Sequence, residues 1–456
     1  MSSNVFFTKW SELEGRFDPQ FYRHDYVEII HRLKSKSHST LAKLASFSTE
    51  TWNQNDFFET TFPYIEISEI DLLDGKIHNI KQVLISEAPS RAKMIVRNGD
   101  IIVSTTRPSR GAISLIQTHD ILIASTGFAV LRKIENSIVK QYLFNVLKMP
   151  FILKQFEQRS SGGNYPAITI EELSKVIIPV PPLHIQNEII VKMDEAYRQK
   201  AVNEARAQAI LDGIDGYLLS ELGIIAPDID DKALSKRVFT RKMSEVSGKR
   251  FDPSSYADGF SFIDTVFDLV TFSDYLFIDP YSKMDETLEA TFLPMEKISD
   301  EYGEADTTLS RNMEGSKGYT KFQENDLLWS KITPCMENGK SAVVRHLQNG
   351  IGFGSTEYFV FRPKRKDINI DYIHALLRLK AFRQTATRFF TGTSGHQRVS
   401  SDFFKTLKIP LPFLEKQNEI AAHIESLRAE AKRLREEAAQ QFEAAKAEVE
   451  KMILGN

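Results

Sequence analysis

Cysteine is nearly missing from this chain: Cys335 is the only one in 456 residues. A single thiol excludes an internal disulfide framework and fits a reducing cytoplasm. No run of about 18 uncharged apolar residues occurs, which excludes a helical membrane span. The opening Met1 to Trp10 lacks the basic-then-apolar order of a secretory signal. Charge of one sign is also lacking. The 58 Lys and Arg stand against 61 Asp and Glu, net −3, so any surface for a polyanion must be local. Catalytic signatures are missing too. There is no Asn/Asp-Pro-Pro-aromatic motif, no Gly-rich S-adenosylmethionine loop, no HExxH and no paired CxxC, so neither a catalytic residue nor a metal ligand is expected. Gly339-Lys340-Ser341 resembles the end of a P-loop, but Pro334 stands where the first glycine is required. Pro227-Asp228 could open a nuclease motif, but no suitably spaced Glu-x-Lys follows, and the ten histidines are scattered.

What the chain has is itself, twice. Gly15-Arg16-Phe17-Asp18-Pro19 with Tyr22 returns as Lys249-Arg250-Phe251-Asp252-Pro253 with Tyr256. Asn98-Gly99-Asp100-Ile101-Ile102-Val103-Ser104 returns as Glu324-Asn325-Asp326-Leu327-Leu328-Trp329-Ser330. Ser125-Thr126, Val130 and Arg132 return as Ser355-Thr356, Val360 and Arg362. Pro179-Val180-Pro181-Pro182-Leu183-His184-Ile185-Gln186-Asn187-Glu188-Ile189 returns as Pro410-Leu411-Pro412-Phe413-Leu414-Glu415-Lys416-Gln417-Asn418-Glu419-Ile420. The separations drift between 226 and 234 residues, as loop insertions cause. Chance could supply one such match, but not four in the same order. Charge repeats as well: net −4 over residues 1–90 and +7 over 91–170, then −10 over 242–310 and +9 over 311–412. Two basic segments at matched places favour two faces built for phosphate.

Strand-like runs such as Asp100–Ser104 and Ala129–Leu131, mixed with helical runs such as Val139–Gln158, make each half α+β. The predicted organisation is a first globular domain over 1–180, a long helix over 181–222, an acidic linker over 223–241, a second domain over 242–411 and a C-terminal helix over 412–456. The Pro-rich turns at Pro179–Pro182 and Pro410–Pro412 start the helices, because proline suits a helix start and not its interior. Ile189, Met193, Ile214 and Leu218 on the first helix form an apolar seam. Ile420, Ile424, Leu427 and Leu434 form another on the second, near 4-3 spacing. The two are expected to pair antiparallel as a coiled coil, a rod of about 60 Å. Gly213 and Gly216 predict a bend or early end of the first helix near Leu211.

Two loop families carry the candidate contacts. The first follows the repeated strand and contributes Thr105, Thr106, Arg107 and Arg110, then Lys331, Thr333, Asn338 and Lys340. The second precedes the last strand and contributes Arg159 and Asn164, then Arg388, His396, Gln397 and Arg398. Arginine bonds bidentately to guanine or phosphate, and Thr, Asn and Gln reach base edges. Interleaved glycines allow close approach of the backbone.

A Gly-rich loop, an apolar strand ending in Pro-x-Pro, then Leu-x-x-Gln-x-x-Ile opening a long helix, twice per chain, resembles the specificity subunit of type I restriction–modification enzymes. The residues are Pro179, Pro181, Leu183, Gln186 and Ile189, then Pro410, Pro412, Leu414, Gln417 and Ile420. The resemblance implies a non-catalytic, pseudo-two-fold molecule whose two target-recognition domains read the halves of a bipartite double-stranded DNA target. It implies docking of two methyltransferase subunits and of restriction subunits with helicase and nuclease activity. S-adenosylmethionine, ATP and Mg are then expected on those partners and no cofactor on this chain. The alternatives are the specificity subunit of another multisubunit restriction class, a fused nuclease or methyltransferase, and a scaffold that recruits proteins without reading DNA.

Overall fold

The computed structural model describes residues 13, 17–53, 56, 58–118, 120–225, 240, 242–243, 260–285, 287–314, 316–393 and 397–455. Most of the expected linker, the Gly15-Arg16 pair and Lys249–Tyr256 lie outside them. The chain divides into two units, Met1–Asn203 with Glu436–Asn456, and Glu204–Arg435.

The first unit carries β1 (His38–Thr40), β2 (Ser46–Ser48), β3 (Thr61–Ile65), β4 (Lys81–Leu84), β5 (Ala92–Val96), β6 (Ile101–Ser104), β7 (Ile113–Leu115), β8 (Leu122–Ser125), β9 (Phe128–Arg132) and β10 (Ile177–Pro179). They form two four-stranded sheets, ordered β2-β9-β6-β7 and β4-β3-β8-β5, and β1 pairs with β10. The first sheet is antiparallel, and in the second β3 and β8 run parallel. The second unit carries β11 (Leu269–Thr271), β12 (Leu276–Ile278), β13 (Glu289–Leu293), β14 (Ser310–Asn312), β15 (Thr320–Gln323), β16 (Leu327–Ser330), β17 (Ser341–Val343), β18 (Ile351–Gly354), β19 (Tyr358–Pro363), β20 (Phe390–Thr391), β21 (Arg398–Val399) and β22 (Lys408–Pro410). Its sheets are ordered β12-β19-β16-β17 and β14-β13-β18-β15, with β13 and β18 parallel and β11 paired with β22. The sequence repeat is therefore a repeat of strand order, to which the second unit adds the β20–β21 pair.

The apolar run in each central strand follows from burial on both faces. Side chains alternate along a strand. Ile101 and Val103 of β6 enter the core shared with the helices, while Ile102 enters the core shared with the other sheet. Leu327 and Trp329 of β16 divide from Leu328 in the same way. Each such side chain contributes about 1.5–3 kcal/mol by leaving water. The helical run expected over Val139–Gln158 is two helices, α1 (Lys140–Leu147) and α2 (Pro150–Arg159). The break comes where Pro150, which has no N–H and restricts the residue before it, opens the second.

The first long helix, α3, runs Leu183–Glu221. The second unit repeats the short helical pair as α4 (Ile370–Arg378) and α5 (Lys380–Thr387), and its long helix, α6, runs Leu414–Leu454. The early end expected near Leu211 does not occur. α3 continues through Gly213 and Gly216, since the roughly 1 kcal/mol cost of a helical glycine is outweighed when neighbours such as Leu218, Leu219 and Leu222 are buried. The glutamine of the repeated Leu-x-x-Gln-x-x-Ile motif is a clamp. Gln186 accepts from Val139 N–H and donates to Ser137 and Pro181 carbonyls. Gln417 accepts from Asn369 N–H and donates to Asp367 and Pro412 carbonyls. Each ties the first turn of a long helix to the loop that opens the short helical pair.

Within the first unit α3 and α6 touch through Lys192–Glu448 and through the Tyr197 and Phe442 rings, 5.0 Å apart. Within the second they touch through Arg206–Glu430 at 3.2 Å, Tyr217–His423 rings at 4.4 Å and Glu221–Lys416 at 2.6 Å. In both, numbers rise along one helix as they fall along the other. Ile189 and Met193 lie in the first unit's core with Val449 and Ile453. Leu218, Ile420 and Ile424 lie in the second unit's core, and Leu434 packs with Ala207 and Ala431. Ile214 and Leu427 are half-buried. The sequence pattern passed over Phe442, which is buried.

Candidate functional site

The repeated Asn-Gly-Asp and Glu-Asn-Asp turns set up the strand that delivers the first loop. Gly99 and Asn325 occupy the left-handed region at φ 83° and 64°, which glycine and asparagine tolerate best. The next residue closes the turn: Asp100 accepts from Arg97 N–H, and Asp326 from Gln323 N–H. Both carboxylates are buried and each is held by an arginine of the neighbouring strand, Arg132 at 2.7 Å and Arg362 at 2.6 Å. Hydrogen bonding to these carboxylates raises both guanidinium pKa values above their ordinary range. A buried pair of this kind costs about 3–5 kcal/mol to break from one side.

Beyond that strand the two loop families meet. In the first unit Arg107 N–H donates to Pro166 O at 2.7 Å, Ile168 N–H to Thr105 O at 2.9 Å, and Thr106 bridges Ala167. In the second unit Thr333 N–H donates to Gln397 O at 3.0 Å, Val399 N–H to Lys331 O at 3.0 Å, and Ile332 bridges Arg398. A third segment joins at the matched turn, where Thr105 N–H donates to Gly127 O and Lys331 N–H to Glu357 O. Loops 59 to 68 residues apart in sequence thus form one surface by the same backbone bonds in both units.

A cation, buried in the first unit and half-buried in the second, tethers the first loop of each. The Lys148 ammonium donates to Gly111 O and Leu72 O, each at 3.0 Å. Arg378 donates to Gly339 O at 2.6 Å, Asp300 O at 2.7 Å and Glu301 O at 3.0 Å. Gly111 and Gly339 end the two matched loops. Lys148 is 6% exposed, and burial pushes its pKa down to about 8. Both cations interrupt apolar helical runs, Val146-Leu147-Lys148-Met149 and Leu376-Leu377-Arg378-Leu379, which is the signal by which the sequence marks them.

The expected contact residues divide into outward and inward groups. Arg110, Asn164 and Asn338 are exposed, and Thr105, Thr106, Arg107, Lys331, Thr333, Arg388, Gln397 and Arg398 are half-buried. The Lys331 ammonium lies 3.4 Å from Tyr358 O and 5.3 Å over the Phe359 ring, and two further cations are turned inward. Arg159 is 3% exposed, bonded to Glu172 at 3.0 Å, with its guanidinium against the Phe21 ring. Lys340 donates to Ile298 O at 2.9 Å and Met295 O at 3.2 Å. In each case the cation finds its partners inside the protein, so it braces the loops and does not face outward. His396 lies outside the described residues. Arg388 follows the last turn of α5. Arg398 is paired with Glu357 at 2.7 Å, and Glu357 carried no sequence signal beyond its matched turn. Tyr165, which ends the second loop but is not among the candidate contacts, is 71% exposed, and the Arg107 guanidinium lies 4.2 Å over its ring. Among the described residues no group of three or more His, Cys, Asp or Glu is placed to hold a metal ion, and no helix is long and apolar enough to cross a membrane.

Comparison with known proteins reproduces the duplication. The model of the type I restriction modification DNA specificity domain matches residues 39–211 and again 279–443. The EcoEI type I restriction enzyme specificity subunit of Escherichia coli is 34% identical over 145 residues, 31% of this chain and 24% of that protein. The EcoAI specificity subunit of Escherichia coli is 37% identical over 137 residues, 30% of this chain and 23% of that protein. These alignments span about a quarter of the relatives' length. A solved chain from work on complex assembly and conformational transition of the type I R-M system has the same fold at TM-score 0.53. It is 22% identical, with 91% of this chain and 97% of that one covered.

Proposed function

Because the chain belongs to the type I restriction modification DNA specificity family, matched over both of its halves, we propose that it selects the DNA sequence on which a type I system acts. One target-recognition domain, over 1–180, takes one half of a bipartite site, and the other, over 242–411, takes the second. The two long helices form an antiparallel coiled coil that holds the domains apart in a pseudo-two-fold arrangement. With the adjoining surfaces they dock two methyltransferase subunits, to which restriction subunits are added. The chain carries no methyl-transfer or cleavage chemistry of its own; S-adenosylmethionine, ATP and Mg act on the partners.

The observation that carries this reading is the doubled loop assembly. The same backbone bonds join two loops in each unit, and each assembly lies in a segment of net positive charge, +7 over 91–170 and +9 over 311–412. Phosphates supply affinity to such surfaces and base edges supply specificity. Arg107, Arg110, Thr105, Thr106 and Asn164 are the proposed contacts in the first unit. Lys331, Thr333, Asn338, Arg388, His396, Gln397 and Arg398 are those in the second, with Arg159 and Lys340 supporting the loops. The test is methyl transfer to plasmid DNA by the methyltransferase subunit with and without this chain. Site-specific transfer only when both are present is expected. Robust transfer by this chain alone, or equal transfer without it, would overturn the reading.

A further inference from the structure

We propose that Arg107 reads a guanine in the half-site taken by the first unit, and that Tyr165 is the positioning residue that fixes its plane. This rests on the recognition role above and names the base and the residue pair behind it. Arg107 sits in the left-handed region, φ 49° and ψ 49°, and its N–H is tied to Pro166 O, so its backbone is held at the junction of the two loops. Its guanidinium lies 4.2 Å over the Tyr165 ring, and its Nη2 donates to Asn164 O at 2.9 Å. Stacking and one hydrogen bond together orient the plane of the group before any ligand arrives. Among the described residues no carboxylate lies within ion-pair distance of it.

The donor count selects the ligand. A guanidinium has five N–H groups in a rigid fork. The Asn164 carbonyl takes one hydrogen of Nη2. Whichever hydrogen that is, one two-donor edge stays whole: Nη1 with Nη2, or Nε with Nη2. Two parallel donors match the O6 and N7 acceptors of guanine in the major groove. Adenine there offers an acceptor beside a donor, and the pyrimidines offer a single polar group. Gly163, in the loop that carries Asn164 and Tyr165, has open space where a side chain would stand, so the edge of a duplex can approach closely. Arg110, at the end of the same short turn, is exposed and suits phosphate.

The second unit lacks this device. At the matched junction Thr333 takes the place of Arg107, and Arg398 is bound by Glu357 through Nε and Nη2, at 2.8 and 2.7 Å, which pairs its charge and takes one of its two-donor edges. The two halves should therefore differ in their need for guanine at this place.

The test uses the complex of the full chain with its methyltransferase subunits, on duplexes carrying the target mapped from methylated positions. Each guanine is replaced in turn by 7-deazaguanine, which lacks the N7 acceptor. At one guanine of the first half-site the wild type should lose roughly 5- to 150-fold in affinity, the range of a bidentate base contact. R107K keeps the charge and loses the fork, so it should bind more weakly and be indifferent to that replacement. Y165A should shrink the 7-deazaguanine effect without changing preferences in the other half-site, and Y165F should keep it. If R107K weakens every duplex alike and no guanine of the first half-site is sensitive in the wild type, Arg107 touches phosphate and the inference falls while the recognition role stands. If the wild-type complex shows no sequence preference at all, the recognition role falls with it.

Discussion

Replacing Lys148 by methionine removes the cation beneath the first recognition loop with little change in volume. Two effects oppose each other. The ammonium's pKa falls from 10.5 to about 8 through burial, so at pH 7 the charged form is disfavoured by about 3 kcal/mol, and the substitution relieves that. It also strips the Gly111 and Leu72 carbonyls of their donor, at about 1–3 kcal/mol each. The net effect on stability lies between about 1 kcal/mol of stabilisation and about 3 kcal/mol of destabilisation. The loop ending at Gly111 loses its tether, so binding should weaken at the first half-site and stay unchanged at the second. pH separates this from a general packing defect. Lys148 has a depressed folded-state pKa, so between about pH 8 and 10.5 the unfolded chain holds more of its proton than the folded one. The penalty is complete below about pH 8 and is relieved as pH rises. Urea unfolding at pH 7, 8.5 and 10 should therefore show the wild type gaining stability relative to K148M. A difference flat across that range would refute the buried ammonium, and equal weakening at both half-sites would refute the local tether.

Asp326→Ala strands Arg362 beside the central strand of the second unit and should cost about 3–5 kcal/mol, read by urea denaturation; a loss below about 1 kcal/mol would show the pair to be dispensable. Gln417→Leu removes three hydrogen bonds at the start of α6 and should destabilise by about 1–3 kcal/mol. An equal loss from Gln186→Leu is expected, and no loss from either would remove the clamp. Leu434→Asp buries a carboxylate against Ala207 and Ala431, and gel filtration with the methyltransferase subunit should show assembly lost; normal assembly would count against the helix seam.

The duplication was legible because it is written in residues that the fold needs twice. The turn-closing aspartates, their arginine partners, the clamp glutamines and the apolar central strands all recur at matched positions, and each proved to have the same contacts in both copies. The starts of the long helices were legible from the Pro-rich entry points, while the continuation of the first helix past Gly213 was not, because burial of the following leucines is a tertiary effect. The loops were legible only as sets. Which basic residue faces outward depends on partners distant in sequence: Arg159 is claimed by Glu172, Lys340 by two carbonyls 42 and 45 residues earlier, and Arg398 by Glu357. Tyr165 is not a candidate contact from the sequence because an exposed tyrosine in a polar loop is ordinary until Arg107 is seen lying on its ring.

The central claim is that each half reads its own part of the target. The most direct measurement exchanges residues 242–410 for the matching part of a relative, assembles the hybrid with the methyltransferase subunits, and sequences the methylated bases of the host genome. The account predicts that one half of the methylated sequence changes and the other is retained. A change in both halves, or in neither, would contradict it.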